Sequence, residues 1–407
     1  MPLELIHSRK RIMKNNSYIQ LATSDKCTGC AACASVCPTR SISMREDREG
    51  FLQPHIDKKT CIGCHKCEKT CPAINDIYVN KFISHAYNAQ TNDECALKKS
   101  SSGGAFYELS RYVIARRGVI FGVKFKGIHV QHDCAETLYG VEAFMGSKYI
   151  QSEIGNSYIQ AKSFLEQGRW VLYSGTPCQI AGLKRYLNRD YEKLITIDLI
   201  CHGVPSPGIW EKYIQRLMRK IDAGDIKDIR FRIKDVDNVG RNNSYFFFFF
   251  FLRDYQWHSY GEERMKNLFY AYFTRHIFRS SCYQCPFRAI NISYADITIG
   301  DAVSEIQHLK NDIPSTIIVH TMKGEDVCRE ISEHLGVLTP LQDVYVNEYF
   351  EEARKAELIE RNIRPYKLSN RLAMIFPLEY LKWIWMHDKL YVVLKRKLKK
   401  TWKKNTK

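Results

Sequence analysis

The sequence predicts an α/β protein built on a mixed sheet, preceded by a small cysteine-rich α+β domain and followed by a helical extension. Three observations carry this. Two strand-turn-helix units follow one another, from Arg169 to Leu187 and from Leu194 to Lys220, the alternation expected of helices packed on a sheet. Eight of the fifteen cysteines fall between residues 27 and 71, in two copies of one spacing. From Val344 onward, apolar residues recur at helical intervals among charges. The domains expected are residues 1–80, 81–340 and 341–407 of a 407-residue chain, a length that suits two or three domains.

Composition excludes several classes. At 45% hydrophobic and 26% charged the chain is ordinary globular material, not disordered or fibrous. An odd cysteine count and a basic, polar stretch from Met1 to Tyr18 without an apolar segment argue against a secreted disulfide scaffold. No uncharged apolar run reaches the ~18 residues of a spanning helix. The most apolar run, Tyr245 to Leu252, with six consecutive Phe, has strand length and composition. A cytoplasmic protein with reduced or metal-bound thiols is expected. The 61 Lys+Arg against 44 Asp+Glu give a net charge of +17, which raises a nucleic-acid or membrane-surface partner.

The cysteine repeat reads Cys27-x2-Cys30-x2-Cys33-x3-Cys37-Pro38, then Cys61-x2-Cys64-x2-Cys67-x3-Cys71-Pro72. A cubane 4Fe-4S cluster needs four converging thiolates. Three come from a tight loop, and the fourth of each run, expected one turn into a short helix, serves the other cluster. This assigns Cys27, Cys30, Cys33 and Cys71 to one cluster and Cys37, Cys61, Cys64 and Cys67 to its twin. Gly29 and Gly63 let the loops wrap, and Pro38 and Pro72 stop the helices. Structural zinc more often draws CxxC pairs from separate hairpins, so the first domain is read as a two-cluster ferredoxin-like domain.

The next segments read as parts of the sheet domain. Ser100-Ser101-Ser102-Gly103-Gly104 precedes a helix, Ala105 to Arg116, and a strand, Gly118 to Phe125. Such a loop is either a plain cap or a phosphate cradle. Gly146-Ser147-Lys148-Tyr149, with Gln151 and Ser152, is a second polar loop. The strand Arg169 to Ser174 leads through Gly175, with Thr176 as N-cap and Pro177 as first helical residue, so Cys178 lies in a first turn, where the dipole favours a thiolate. The strand Leu194 to Ile200 then delivers Cys201 and His202, to the same sheet edge if the two strands are parallel. Cys282-x2-Cys285-Pro286 adds a pair. These four cysteines are either a third cluster or buried core thiols. Cys95, Cys134 and Cys328 are read as structural.

These motifs resemble the FrhB/FdhB family, the beta subunits of deazaflavin (coenzyme F-420) hydrogenases and formate dehydrogenases, with bacterial relatives in polysaccharide gene clusters. The resemblance spans roughly residues 20 to 320. It rests on the double cysteine motif, SSSGGAF (100 to 106), GSKYIQS (146 to 152), LYSGTPCQIAGLK (172 to 184), DLICHGVPSP (198 to 207), CYQCPF (282 to 287) and ADITIGD (295 to 301). It implies a flavin domain with its own 4Fe-4S cluster on Cys178, Cys201, Cys282 and Cys285, and FAD contacts from Ser101, Ser102, Gly103, Gly104, Lys148, Tyr149, Gln151, Ser152, Gly175 and Thr176. Two departures stand out: Asp301-Ala302-Val303-Ser304 replaces the family's usual Phe-Trp-Gly after the aspartate, and no Arg occupies residues 291 to 294. An acceptor other than a deazaflavin is therefore expected.

FAD exchanges electrons in pairs and clusters one at a time, so the expected chemistry links a ferredoxin-type donor or acceptor to a small-molecule substrate. His202 is a candidate proton donor and Asp301 a candidate polar site residue. The alternative is a non-catalytic electron-transfer subunit of a larger, oligomeric complex. From Lys382 to Lys407 there are ten Lys/Arg and one Asp, so over half of the excess charge sits in the tail. No nucleic-acid reading element is evident. A basic amphipathic tail with Trp fits peripheral contact with an anionic membrane, or a docking helix.

Overall fold

The structure is a computed structural model that describes residues 19–75, 85–232, 248–253, 256–261, 266–288, 293–302, 314–340, 363–384 and 386. The expected helix Val344 to Arg361, and most of the tail from 387 onward, lie outside the described residues.

The N-terminal unit has one short helix per cysteine run, α1 (Ala32–Val36) and α2 (Lys66–Thr70), and an antiparallel hairpin, β1 (Ile42–Glu46) and β2 (Leu52–Ile56). The two runs fold alike. Gly29 and Gly63 have φ of 70° and 64°, and Ala31 and His65, which enter the helices, have φ of 56° and 55°.

The body is built on β3 (His85–Thr91), β4 (Val119–Lys126), β5 (His129–Ala135), β6 (Val171–Gly175), β7 (Leu194–Leu199), β11 (Ile297–Asp301), β12 (Ser315–Val319) and β13 (Leu335–Pro340). These eight strands form one sheet in the order β13-β3-β12-β11-β7-β6-β4-β5. The neighbours β4, β6, β7 and β11 are parallel, whereas β5, β12, β3 and β13 run antiparallel to theirs. The sheet is thus mixed, and the two strand-turn-helix units do lie side by side in parallel. The strands β8 (Asp225–Arg230), β9 (Phe248–Arg253) and β10 (Gln256–Gly261) form a separate antiparallel sheet, where the phenylalanine run is the middle strand.

Helices cover both faces of the central sheet, so its inner strands are buried on both faces and mostly apolar, with Thr196, Asp198 and Thr298 among the buried polar exceptions. Alternate residues sort by face. Val119, Phe121, Val171, Tyr173 and Leu194 share one core. Ile120, Leu172, Ile195 and Ile197 share the other. After β3, the short α3 (Glu94–Lys99) leads into the serine-glycine loop and α4 (Ala105–Ala115). The second core is closed by α4, α5 (Leu138–Val141) and α10 (Met322–Ile331). The first is closed by α6 (Ser157–Glu166) and α7 (Pro177–Leu187), and also by Cys30, Ala31 and Ala32 of the N-terminal unit. The first cysteine loop is therefore built into the core of the α/β body. A third core joins α8 (Pro207–Ile221), α9 (Lys266–Phe273) and α11 (Ile363–Ile375), with Trp210 donating from Nε1 to the Ile128 carbonyl at 2.7 Å. The described part of the extension clamps both units: Asn370 Nδ2 donates to Glu49 Oε2 at 3.0 Å and to the Phe278 carbonyl at 3.1 Å.

Candidate redox site

The parallel strands set the site, because β6, β7 and β11 all end at one edge. Cys178 lies in the first turn of α7, Cys201 just beyond β7, and Cys282 and Cys285 in and after the 3-10 turn Ser280–Gln284. The segment after Cys201 is pinned to the one entering Cys282 by a Pro205–Phe278 bridge and by the Arg279 amide bonding to the Val204 carbonyl at 3.0 Å.

In the N-terminal unit, Cys27, Cys30, Cys33 and Cys71 line one small cavity with Leu21, Pro54 and Pro72. This is the grouping the spacing predicts. Burial pushes the Cys30 thiol up to about 12, with Cys178, Cys27 and Cys71 adding to the shift. Cys33 is raised by burial and then by Cys30, Cys27 and Cys71. Thiols held so far from ionisation, yet crowded on one cavity, suit iron, whose charge favours the thiolate. Among the described residues, no three His, Cys, Asp or Glu side chains are placed to grip a single metal ion. A cubane is wider than one ion, so a four-thiol cavity is the relevant test, and these residues fit it. The fourth cysteine of each run, Cys37 or Cys71, is the C-cap that follows the short helix, one position beyond the helical site expected. In the twin group Cys67 is buried, Cys61 and Cys37 are half-buried and Cys64 is exposed. The Ser41 amide donates to Cys37 Sγ at 3.2 Å.

Burial likewise pushes the Cys178 thiol up to about 11, opposed by Thr176 and raised further by Cys282. The helix dipole thus does not by itself yield the thiolate expected there. Cys178 also faces the first cysteine group. A Cβ on Gly182, one turn on along α7, would stand 3.0 Å from Cys30 Sγ, so glycine is what lets α7 lie against that loop.

Beside Thr176, two residues from Cys178, a cleft opens at the sheet edge. Its lining includes Ser101, Ser102, Gly104, Lys148, Gln151, Ser152, Gly175, Thr176 and Asp301, all expected from sequence. Ser101 Oγ accepts from the Ser147 amide at 2.6 Å and joins the two polar loops. Gln179 Oε1 accepts from the Thr176 amide at 2.9 Å, while its Nε2 donates to Ser152 Oγ at 3.1 Å. Thr176 Oγ1 lies 3.3 Å from Cys178 Sγ, so a residue of the cleft wall touches the cysteine group. Lys148 Nζ donates to the carbonyls of Ala143 (3.1 Å) and Met145 (2.7 Å), and burial lowers its pKa to about 7.

Three expected residues are placed differently. Gly103 is pressed against the sheet, where a Cβ would meet the Ala89 carbonyl at 2.0 Å. Tyr149 does not line the cleft, because its ring packs edge-on against Phe231 and Tyr272 at 5.8 and 5.2 Å. His202 is exposed and is not among the residues that line the cleft.

No local motif marks Arg279, Arg232 or His132. Arg279 is only 1% exposed. Its Nε donates to the Cys27 carbonyl (2.7 Å), Nη1 to Gln151 Oε1 (3.0 Å), and Nη2 to the Leu52 carbonyl (2.9 Å) and Cys27 Sγ (3.6 Å). Arg232 Nη1 donates to both oxygens of Asp301 at 2.8 and 2.7 Å. His132, its pKa lowered to about 4 by burial, is neutral, and bonds Ser174 O and Ser152 Oγ at 3.1 Å each. Their partners lie 20 to 252 positions away, beyond the reach of any local pattern.

A 4Fe-4S cysteine unit on a helix-covered mixed sheet defines an iron-sulfur protein of the redox class. Comparison with known proteins agrees. Residues 26–74 match the 4Fe-4S dicluster domain, and residues 168–340 match the carboxy-terminal region of the coenzyme F420 hydrogenase/dehydrogenase beta subunit. Over residues 168–340 the chain is thus similar to the FrhB/FdhB family. It is 21% identical over 224 residues to a subunit of the F(420)H(2) dehydrogenase of Methanosarcina mazei, covering 51% of this chain and 62% of that one. It is 38% identical over 63 residues to a subunit of the tetrathionate reductase of Salmonella typhimurium, covering 16% of this chain and 21% of that one. Both matches span less than two thirds of the relative. A solved F420-reducing [NiFe] hydrogenase complex from Methanosarcina barkeri contains a chain aligned over 73% of this chain and 94% of its own, with a TM-score of 0.44 and 16% identity.

The two loop glycines give a test. Both have left-handed φ, where a side chain costs roughly 1–2 kcal/mol. Only at Gly29 would a Cβ also collide, at 2.7 Å from Arg279 Nη1 and 2.9 Å from Gln151 Nε2, while nothing lies within 4 Å of Gly63. Gly29→Ala is expected to lower iron bound per chain by about four, and Gly63→Ala to leave it near wild type, as measured by iron analysis after anaerobic purification.

Proposed function

We infer that the chain is an iron-sulfur flavoprotein oxidoreductase. Electrons enter singly from a ferredoxin-type donor at the exposed side of the Cys61, Cys64 and Cys67 group. A cluster held by Cys27, Cys30, Cys33 and Cys71 and a third held by Cys178, Cys201, Cys282 and Cys285 would, when bound, carry them one at a time toward a small-molecule substrate in the cleft. The observation that carries this reading is the position of Cys178, which is close both to Cys30 of the first cysteine group and to Thr176 of the cleft wall. FAD, the cofactor implied by the family, would convert single electrons to pairs when bound. A neutral heterocycle and a diphosphate suit a cleft with a serine-glycine loop, one lysine and an apolar wall that includes Val123, Phe144, Ile150 and Leu199. Asp301, held by Arg232, is the polar group at the end of β11 facing the substrate side. The arginine missing ahead of Asp301 in sequence is thus met from beyond β8. The departure that remains, Ala302-Val303-Ser304 after the aspartate, is what speaks for a substrate other than a deazaflavin, such as an intermediate of polysaccharide synthesis.

The relatives are named as subunits, and this favours a second reading in which the chain passes electrons within a larger complex without a substrate of its own. The cleft favours the first reading, because a pure relay has no use for it.

Anaerobically purified protein is expected to hold about twelve iron and one FAD per chain. Eight iron without flavin would remove the Cys178 cluster and the flavin together. Lys148 adds a pH dependence. With its pKa at about 7 in the empty cleft, it is charged below pH 7 and neutral above, and a bound diphosphate would keep it charged. Binding then takes up a proton, so FAD affinity falls as pH rises from about 7 toward 9, by at most roughly tenfold per unit. Lys148→Met is expected to bind FAD more weakly and to lose this slope, read by flavin fluorescence titration.

A further inference from the structure

The two cysteine groups share one motif but have different surroundings. The twin group sits at the surface, with Cys64 exposed and open space beside Gly63. The Cys27 group is walled in by the α/β body: Cys27, Cys30 and Cys33 are each no more than 9% exposed. A reduced cluster carries one more negative charge than an oxidised one. Burial disfavours that charge, so a walled-in cluster should be harder to reduce than an exposed one. A relay running inward through the Cys27 group needs that penalty offset.

The structure supplies one cation for this. The Arg279 guanidinium points at Cys27 Sγ and is locked by the Cys27 and Leu52 carbonyls and by Gln151. Phe51 packs on it, with the guanidinium carbon 5.3 Å from the ring centroid. It cannot swing out to solvent, and arginine stays protonated when buried. Gly29 is the glycine that leaves room for it. Beside the twin group, the contacts to Cys37 Sγ come from the uncharged Ser41 amide and Thr39 hydroxyl.

We propose that Arg279 is a potential-setting residue. Its fixed charge and its contact with Cys27 Sγ raise the reduction potential of the cluster on Cys27, Cys30, Cys33 and Cys71 and keep it reducible despite burial. The step it governs is a one-electron reduction of that cluster by the donor, with no bond made or broken. Arg279 acts through the cluster and touches neither substrate nor the cleft lining other than Gln151. This inference rests on the cluster reading above, and the experiment separates the two.

The test is an EPR-monitored redox titration of wild type, Arg279→Gln and Arg279→Lys, with iron counted in each and the Cys27 wave assigned by its loss in Cys33→Ser. Arg279→Gln is expected to move the Cys27 wave to lower potential and leave the twin wave in place, while Arg279→Lys, which keeps the charge, leaves both near wild type. If Arg279→Gln does not hold that cluster, its retention in Arg279→Lys with an unshifted wave gives the same answer. Loss of the cluster in both variants would overturn the proposal in favour of a purely structural fork. So would an unmoved Cys27 wave in Arg279→Gln, an equal shift of both waves, or a lysine variant shifted as far as the glutamine one. Iron-free wild type would sink the cluster reading itself.

Discussion

A single buried guanidinium ties together the parts of this molecule. Arg279 reaches the first cysteine loop, the hairpin at Leu52 and the cleft residue Gln151 at once, while its own amide holds the segment after Cys201. A charge buried to this degree is tolerated only when its donors are matched by acceptors. The surrounding carbonyls therefore have little freedom to move, and removing any of them leaves charge uncompensated. The arrangement fixes the distance between the cysteine groups, and distance is what a relay of single electrons depends on.

The parallel strands provide the second constraint. Because β6, β7 and β11 end together, one sheet edge receives Cys178, the segment of Cys201, and Asp301. The cleft opens at that edge, where α/β sheets commonly bind ligands. Gly182 then lets α7 contact Cys30. The first cysteine loop, Cys178 and the cleft are thus gathered around the N-terminal half of one helix, α7.

Much of this was legible in sequence, for identifiable reasons. The cysteine spacing fixes its own loop geometry, so the grouping of Cys71 with Cys27, Cys30 and Cys33 could be read directly. The strand from Leu194 and the helix after Pro207 follow from apolar runs, proline and capping residues whose effects are local. What could not be read is set by tertiary contact. Tyr149 sits in a polar loop and looks like a ring for stacking, yet it is drawn into the core around Phe231. Arg279 looks like an ordinary residue ahead of a CxxC pair. Gly29 and Gly63 are equivalent in the motif, and only packing shows that one of them makes room for a guanidinium. The overall charge of +17 likewise says little about the body, since ten of the basic residues lie in the last 26 positions.

The central claim is that electrons reach the cleft by way of the Cys178 group. The most direct measurement is stopped-flow reduction of the anaerobically purified protein by a one-electron donor, followed in the iron-sulfur and flavin absorbance of wild type and Cys282→Ala. The account predicts that the dicluster unit of the variant is reduced at the wild-type rate while reduction of flavin in the cleft collapses. Flavin reduction at an unchanged rate, in a variant shown to lack one cluster, would contradict it.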